Sequence, residues 1–289
     1  MNAHGQYYVP QPSHWPLIGS IGLTTTLVGA GLWLHDNWYG PYVFTLGFCI
    51  LIGMFFGWFG QVIYESEKGH YNLQVDRSFR WGMCWFIFSE ICFFGGFFGA
   101  LFMARYFIIP ELGGLTHPIT HVTLWPEFKA SWPLLVNPNN QEFAGAHEAM
   151  GAWGLAAINT FILLTSGVTI TWAHWALKYN KRRQLEIGLA CTILLGIVFL
   201  ALQAHEYSEA YHDMSLTLDS GIYGTTFFML TGFHGLHVTI GTIMLIVILV
   251  RSLYGHFTPE RHFAFEAVAW YWHFVDVVWL FLFIFVYWL

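Results

Sequence analysis

CWFIFSEICFFGGFFGA, residues 84–100, is apolar except at Ser89 and Glu90. With its neighbours it is long enough to cross hydrocarbon, since roughly 20 helical residues span about 30 Å. A carboxylate in that medium has no water, so Glu90 must be neutral, paired or beside a wet cavity. The stretch therefore reads as a membrane helix that carries an acid, and the rest of the chain repeats its apolar character.

Of 289 residues, 56% are hydrophobic and 10% charged, the profile of a polytopic membrane protein. Apolar runs near 16–35, 41–64, 81–107, 151–177, 186–206, 223–250 and 265–288 give an all-α chain of seven transmembrane helices in a single membrane domain, 1–289. Pro16 suits a first helical turn, and Gly40 with Pro41 breaks the chain between the first two spans. The clusters Trp38–Tyr39 and Trp270–Tyr271–Trp272 suit interfacial depths. Small residues at Gly53-x-x-x-Gly57 and Gly95-x-x-x-Gly99 are read as helix-packing faces.

Several functions are excluded. The net charge is −6 with no basic tract, so nucleic acid is not a partner. Cys49, Cys84, Cys92 and Cys191 lie in apolar runs without a CxxC pair, which argues against a disulfide frame and a cysteine zinc site. No GxSxG occurs, and GGFFGA lies inside a membrane helix with no strand before it, so neither a serine hydrolase nor a nucleotide loop is read. The first residues carry no Lys or Arg and no small-residue cleavage site, so 1–15 is expected to be an inner-side segment rather than a cleaved signal.

Nine of the eleven Lys and Arg residues fall in 64–80, 178–186 and 251–262. By the positive-inside rule those loops face inward, which places the N-terminus inside and the C-terminus outside. The long loop 108–150 is then external and is expected to be an ordered cap or docking surface. His117 and His121 within it have a spacing that a metal on a helix could use, but Pro118 between them makes a regular helix doubtful.

The sixth span contains TGFHGLHVTIG, with His234 and His237 one turn apart, and the seventh contains WYWHFVDVVWLF, with His273 and Asp276 at the same spacing. Counted from the inner ends of their helices, Glu90, His237, His273 and Asp276 fall roughly 14–20 Å deep, so they could meet in one layer. Four readings fit such a layer. Opposed imidazoles could hold a haem, with His234 or His237 facing His273. A di-iron site would need more ligands and a Glu-x-x-His pattern that is absent. A proton relay needs linked titratable groups, and the plainest reading is a satisfied hydrogen-bond network that holds helices together.

HWPLIGS at 14–20, FSEICFFGGFF at 88–98, PELGG at 110–114, LLTSGVTITWAHWAL at 163–177 and LQAHEYSEA at 202–210 add a further signal. With GIYGTTFFMLTGFHGLHV at 221–238 and HFAFEAVAWYWHFVDVVWLFLFIFVYWL at 262–289, they make the chain resemble subunit III of the haem-copper cytochrome c oxidases, of the bacterial aa3 type. The resemblance implies a two-helix pair and a five-helix bundle with a lipid-filled cleft between them. It implies assembly with the catalytic subunit I and with subunit II, cytochrome c as electron donor to the complex, and haem and copper in the partner subunits. No redox cofactor, metal or catalytic residue is expected in this chain.

The implied roles are phospholipid binding, protection of the catalytic subunit against turnover inactivation and assistance to proton uptake. Glu90 matches the intramembrane glutamate that carbodiimides modify in the family. Trp58, Phe86 and Arg251 match its lipid-cleft residues, and an arginine can pair with a lipid phosphate. The expansion of roughly 115–150 relative to the short animal form implies a bacterial plasma membrane rather than a mitochondrial one. The alternatives are a third subunit of a quinol oxidase or nitric oxide reductase system, and a redox subunit with haem b between the last two spans.

Overall fold

A computed structural model describes residues 8–9, 12–116 and 118–289. Among them there is no strand, and seven helices are long and apolar enough to cross a membrane. They begin with α1 (Trp15–Leu34), α2 (Gly40–Glu67) and α3 (Leu73–Met103), the last continued by a π-turn at Ala104–Ile108 and by α4 (Ile109–Leu112). After the short α5 (Pro118–Leu124) come α6 (Leu155–Lys178), α7 (Arg182–His212), α8 (Ile222–Leu253) and α9 (Phe263–Leu282), which ends in a π-turn at Phe283–Trp288.

The spans agree in number with the apolar runs and differ in length. The third starts at Leu73 rather than near 81, because the Asn72 side chain accepts the N–H groups of Gln74 and Val75 at 3.0 Å and caps the helix. Asp76 and Arg80 pair at 2.7 Å one turn apart, so the charged residues extend the helix instead of ending it. The loop expected at 108–150 is also shorter, as α4 and α5 lie inside it. Pro118 opens α5 instead of breaking it, since a first-turn proline lacks only an N–H that has no helical partner. His121 sits on α5 with Nδ1 3.2 Å from the Leu112 carbonyl, whereas His117 lies outside the described residues.

The chain divides into two compact units, Met1–Trp81 and Gly82–Leu289. In the first, α1 and α2 approach backbone to backbone. A Cβ on Gly29 would overlap the Phe44 backbone, and one on Gly47 would overlap that of Thr26. Small residues permit such contact in lipid, where dispersion rather than water exclusion drives helix association. Gly29→Leu is therefore expected to part the pair at a cost of about 1–3 kcal/mol, read as faster proteolysis at residues 35–39. Gly31→Leu, whose Cβ would meet open space, should leave that rate unchanged. Equal rates for Gly29→Leu and the parent would refute the close-contact role.

A polar chain fastens the end of this unit. The Trp15 indole N–H donates to Gln61 Oε1 at 2.8 Å, Gln61 donates to Glu65 Oε1 at 2.9 Å, and the Tyr71 hydroxyl donates to Glu65 Oε2 at 3.0 Å. Burial, and next the carboxylate it serves, push the Tyr71 hydroxyl well above its ordinary value, so it stays a donor.

In the second unit Trp272 and Trp279 of α9 lie in the core. Trp272, expected at an interface, is wholly buried and donates its indole N–H to Ser166 Oγ at 2.8 Å. Gly196 of α7 and Gly241 of α8 face its ring, and a Cβ on either would press into it. Trp279 donates to Thr160 Oγ1 at 2.9 Å and meets Phe199 edge-on at 4.8 Å. A hydroxyl one helix away satisfies each indole, which allows the ring to be buried in the core.

α3 meets α8 and α9 through rings, with Phe93 edge-on to Phe233 at 5.0 Å and Phe94 6.1 Å from Phe274. The face expected at Gly95 and Gly99 packs against no helix of this chain, since a Cβ on either would meet nothing within 4 Å. Gly53 is likewise open, while Gly57 faces the Trp15 ring rather than another helix backbone.

Candidate functional site

Glu90 of α3 and His237 of α8 are brought together, with Glu90 Oε2 2.8 Å from His237 Nε2. His237 Nδ1 is 2.6 Å from the Phe233 carbonyl, which can only accept, so Nδ1 carries a hydrogen. The Oε2–Nε2 contact then holds one shared proton, either as a carboxylic acid donating to imidazole or as carboxylate and imidazolium. The Phe94 ring stands 5.0 Å from that of His237, Tyr271 stacks on it at 6.3 Å, and the Tyr271 hydroxyl donates to the His237 carbonyl at 3.4 Å. Aromatic rings thus pack around the histidine of the pair, while the Glu90 side chain stays 20% exposed, and the shielding raises the cost of leaving His237 without its partner.

His273 and Asp276 of α9 form a second group. Thr171 Oγ1 donates to the Gly167 carbonyl at 2.8 Å, so at 3.2 Å it accepts from His273 Nε2–H. That leaves His273 Nδ1 facing Asp276 Oδ2 at 3.6 Å. The carboxylate fits because residue 167 is glycine, where a Cβ would stand 2.5 Å from Oδ2. Gly167, Thr171, Trp172, His273 and Asp276 line a cavity of about 540 Å³.

His234 joins neither group. It is fully buried, with Nε2 3.2 Å from the Val275 carbonyl, and packs against Trp279 at 5.1 Å and Phe199 at 5.6 Å. The five residues thus fall into one pair across α3 and α8, one pair within α9, and one histidine of α8 turned toward Phe199 and Trp279. Phe86 stacks on Tyr271 at 6.2 Å, and the buried Arg251 guanidinium lies 4.6 Å over Phe257. Trp58 belongs to the first unit, where it is half-exposed and stacks on Phe59 at 6.0 Å.

One buried group escaped the sequence reading. Glu206 of α7 accepts from Gln203 Nε2 at 2.9 Å and from the Tyr287 hydroxyl at 3.3 Å, all within the core. The Gln203-x-x-Glu206 spacing inside LQAHEYSEA places both side chains on one helix face and was the available signal.

Seven apolar spans, cross-helix indole and hydroxyl bonds, and carboxylate–histidine pairs within the spans define an all-α polytopic membrane protein. The family model for cytochrome c oxidase subunit III matches residues 4–137 and 143–289. The chain is 42% identical over 283 residues to cytochrome c oxidase subunit 3 of Cyprinus carpio and to that of Oryctolagus cuniculus, covering 98% of this chain and 96% of each relative. It is 41% identical, with the same coverage, to that of Latimeria chalumnae. The chain belongs to the cytochrome c oxidase subunit III family.

Proposed function

We propose that this chain is the non-catalytic core subunit III of a proton-pumping cytochrome c oxidase in aerobic respiration. It assembles with the catalytic subunit I and with subunit II, which hold the haem and copper, and cytochrome c supplies electrons to the complex. The observation that carries the reading is how the intramembrane histidines are engaged. His234 and His237 each present Nε2 to a protein oxygen, at 3.2 and 2.8 Å, and both rings pack against aromatic side chains. A bis-histidine haem would need those same nitrogen atoms. A hydrogen-bonded scaffold uses them as they stand.

In this reading the chain retains structural phospholipid, with Arg251, Phe86 and Trp58 as contacts, protects subunit I during turnover and assists proton uptake. The cationic turns support an N-terminus in the cytoplasm and a C-terminus in the periplasm, and the long segment at 115–150 supports a bacterial plasma membrane. The test is oxygen consumption over repeated turnovers by the purified complex with and without this chain, with haem and copper measured in both. Similar initial rates, with early death of the depleted complex alone and unchanged redox centres, are expected. Loss of haem or copper in step with the chain, or equal lifetimes, would refute the proposal.

A further inference from the structure

Three side chains outside the buried pairs converge where the end of α6 meets the start of α9. His174 lies four residues before the end of α6, His262 caps α9 and Glu266 occupies its first turn. Nε2 of His174 and Nε2 of His262 each stand 3.4 Å from Glu266 Oε1, and the three atoms lie within 4.8 Å of one another. Donors held tetrahedrally at about 2.0–2.1 Å from one ion stand about 3.3 Å apart. The two His–Glu separations already match that figure.

Hydrogen bonding alone explains the group poorly. Two imidazoles approach a single carboxylate oxygen, and neither Nε2 makes a hydrogen bond although both atoms are buried. His262 Nδ1 is 3.1 Å from the Thr258 carbonyl and must donate to it. In the neutral ring this turns the Nε2 lone pair toward the cluster, the arrangement by which an outer oxygen orients a metal-ligating histidine. The His174 ring is held at 5.5 Å from that of His262 and packs on Phe265 at 5.4 Å. Side-chain exposures of 18% for His174 and 9% for His262 leave the group shielded, with its ligating nitrogens buried.

We propose that His174, His262 and Glu266 form a binding site for a divalent transition-metal cation of the Zn²⁺ class, which fastens the end of α6 to the start of α9. Two imidazoles and one carboxylate suit zinc with a water in the fourth position and do not suit calcium or magnesium, which take oxygen ligands. Only His262 and Glu266, four residues apart, are linked by spacing, since His174 lies far from both in the chain.

The test uses the full-length, untagged, metal-stripped chain in detergent, titrated with Zn²⁺ alone and followed by calorimetry and zinc X-ray absorption. One equivalent is expected to bind with micromolar affinity or better, with two imidazole nitrogens and a carboxylate oxygen at about 2.0–2.2 Å. His262→Gln and Glu266→Gln are each expected to weaken binding at least about tenfold. His205→Gln serves as the control, because His205 and Glu209 also stand 3.4 Å apart but on an exposed face. The absence of saturable binding, an absorption spectrum without imidazole, or equal binding by the variants would overturn the site. The spectrum of the parent chain decides the matter even if a variant fails to fold.

Discussion

Trp272→Ala is expected to cost the second unit about 3 kcal/mol, the low end of the range for emptying a buried aromatic site. In a lipid surround much of the transfer penalty falls away, because the displaced surface would still meet hydrocarbon. The cavity remains, since Gly196, Gly241 and Ser166 line the ring from three helices and backbones held by other contacts cannot collapse onto the space. Trp272→Phe separates the parts of the effect. It keeps most of the volume and loses the indole bond, and bonds of that kind in membranes average about 0.6 kcal/mol. Ser166 is left satisfied in either variant, as its hydroxyl also donates to the Leu163 carbonyl at 2.6 Å. The measurement is reversible unfolding in mixed detergent micelles. A Phe variant as unstable as the Ala variant would make the hydrogen bond, not the packing, the reason for the tryptophan.

What the sequence revealed depended on whether the deciding physics is local. The seven spans were legible because run length against bilayer thickness is a property of each segment alone. Pro16 was legible for the same reason, and it does occupy the first turn of α1. The start of α3 was missed because an Asn72 cap and an Asp76–Arg80 pair continue a helix through residues that look like loop by charge. Glycine roles were missed because they depend on the partner helix, so Gly29 and Gly47 are close contacts while Gly95 and Gly99 are open. For the polar residues, depth could be counted but azimuth could not. His234 and His237, three residues apart, point about 60° from each other around α8. That rotation sends His237 toward Glu90 and His234 toward Phe199 and Trp279.

Removing either partner of the Glu90–His237 pair alone is expected to destabilise the bundle by about 1–3 kcal/mol, the cost of leaving a buried polar group without its hydrogen bond. Glu90→Leu strands Nε2 of His237 among Phe93, Phe94 and Tyr271, and His237→Leu leaves the half-buried carboxyl of Glu90 without its imidazole. Replacing both removes the orphan along with the bond, so the double variant should cost less than the sum of the single ones, with a coupling of about 1–2 kcal/mol. Additive costs would mean that the two groups do not depend on each other. Glu90→Gln then distinguishes the two proton arrangements. If a carboxylic acid donates to the imidazole, the amide N–H replaces it and stability changes little. If the pair is carboxylate and imidazolium, the amide loses the charge that holds the proton on His237, and the variant should approach the cost of Glu90→Leu. An ionic pair would deepen the dependence of stability on both partners, whereas a neutral acid would leave Glu90 a hydrogen-bonded carboxyl in hydrocarbon, the state first implied by its place in residues 84–100.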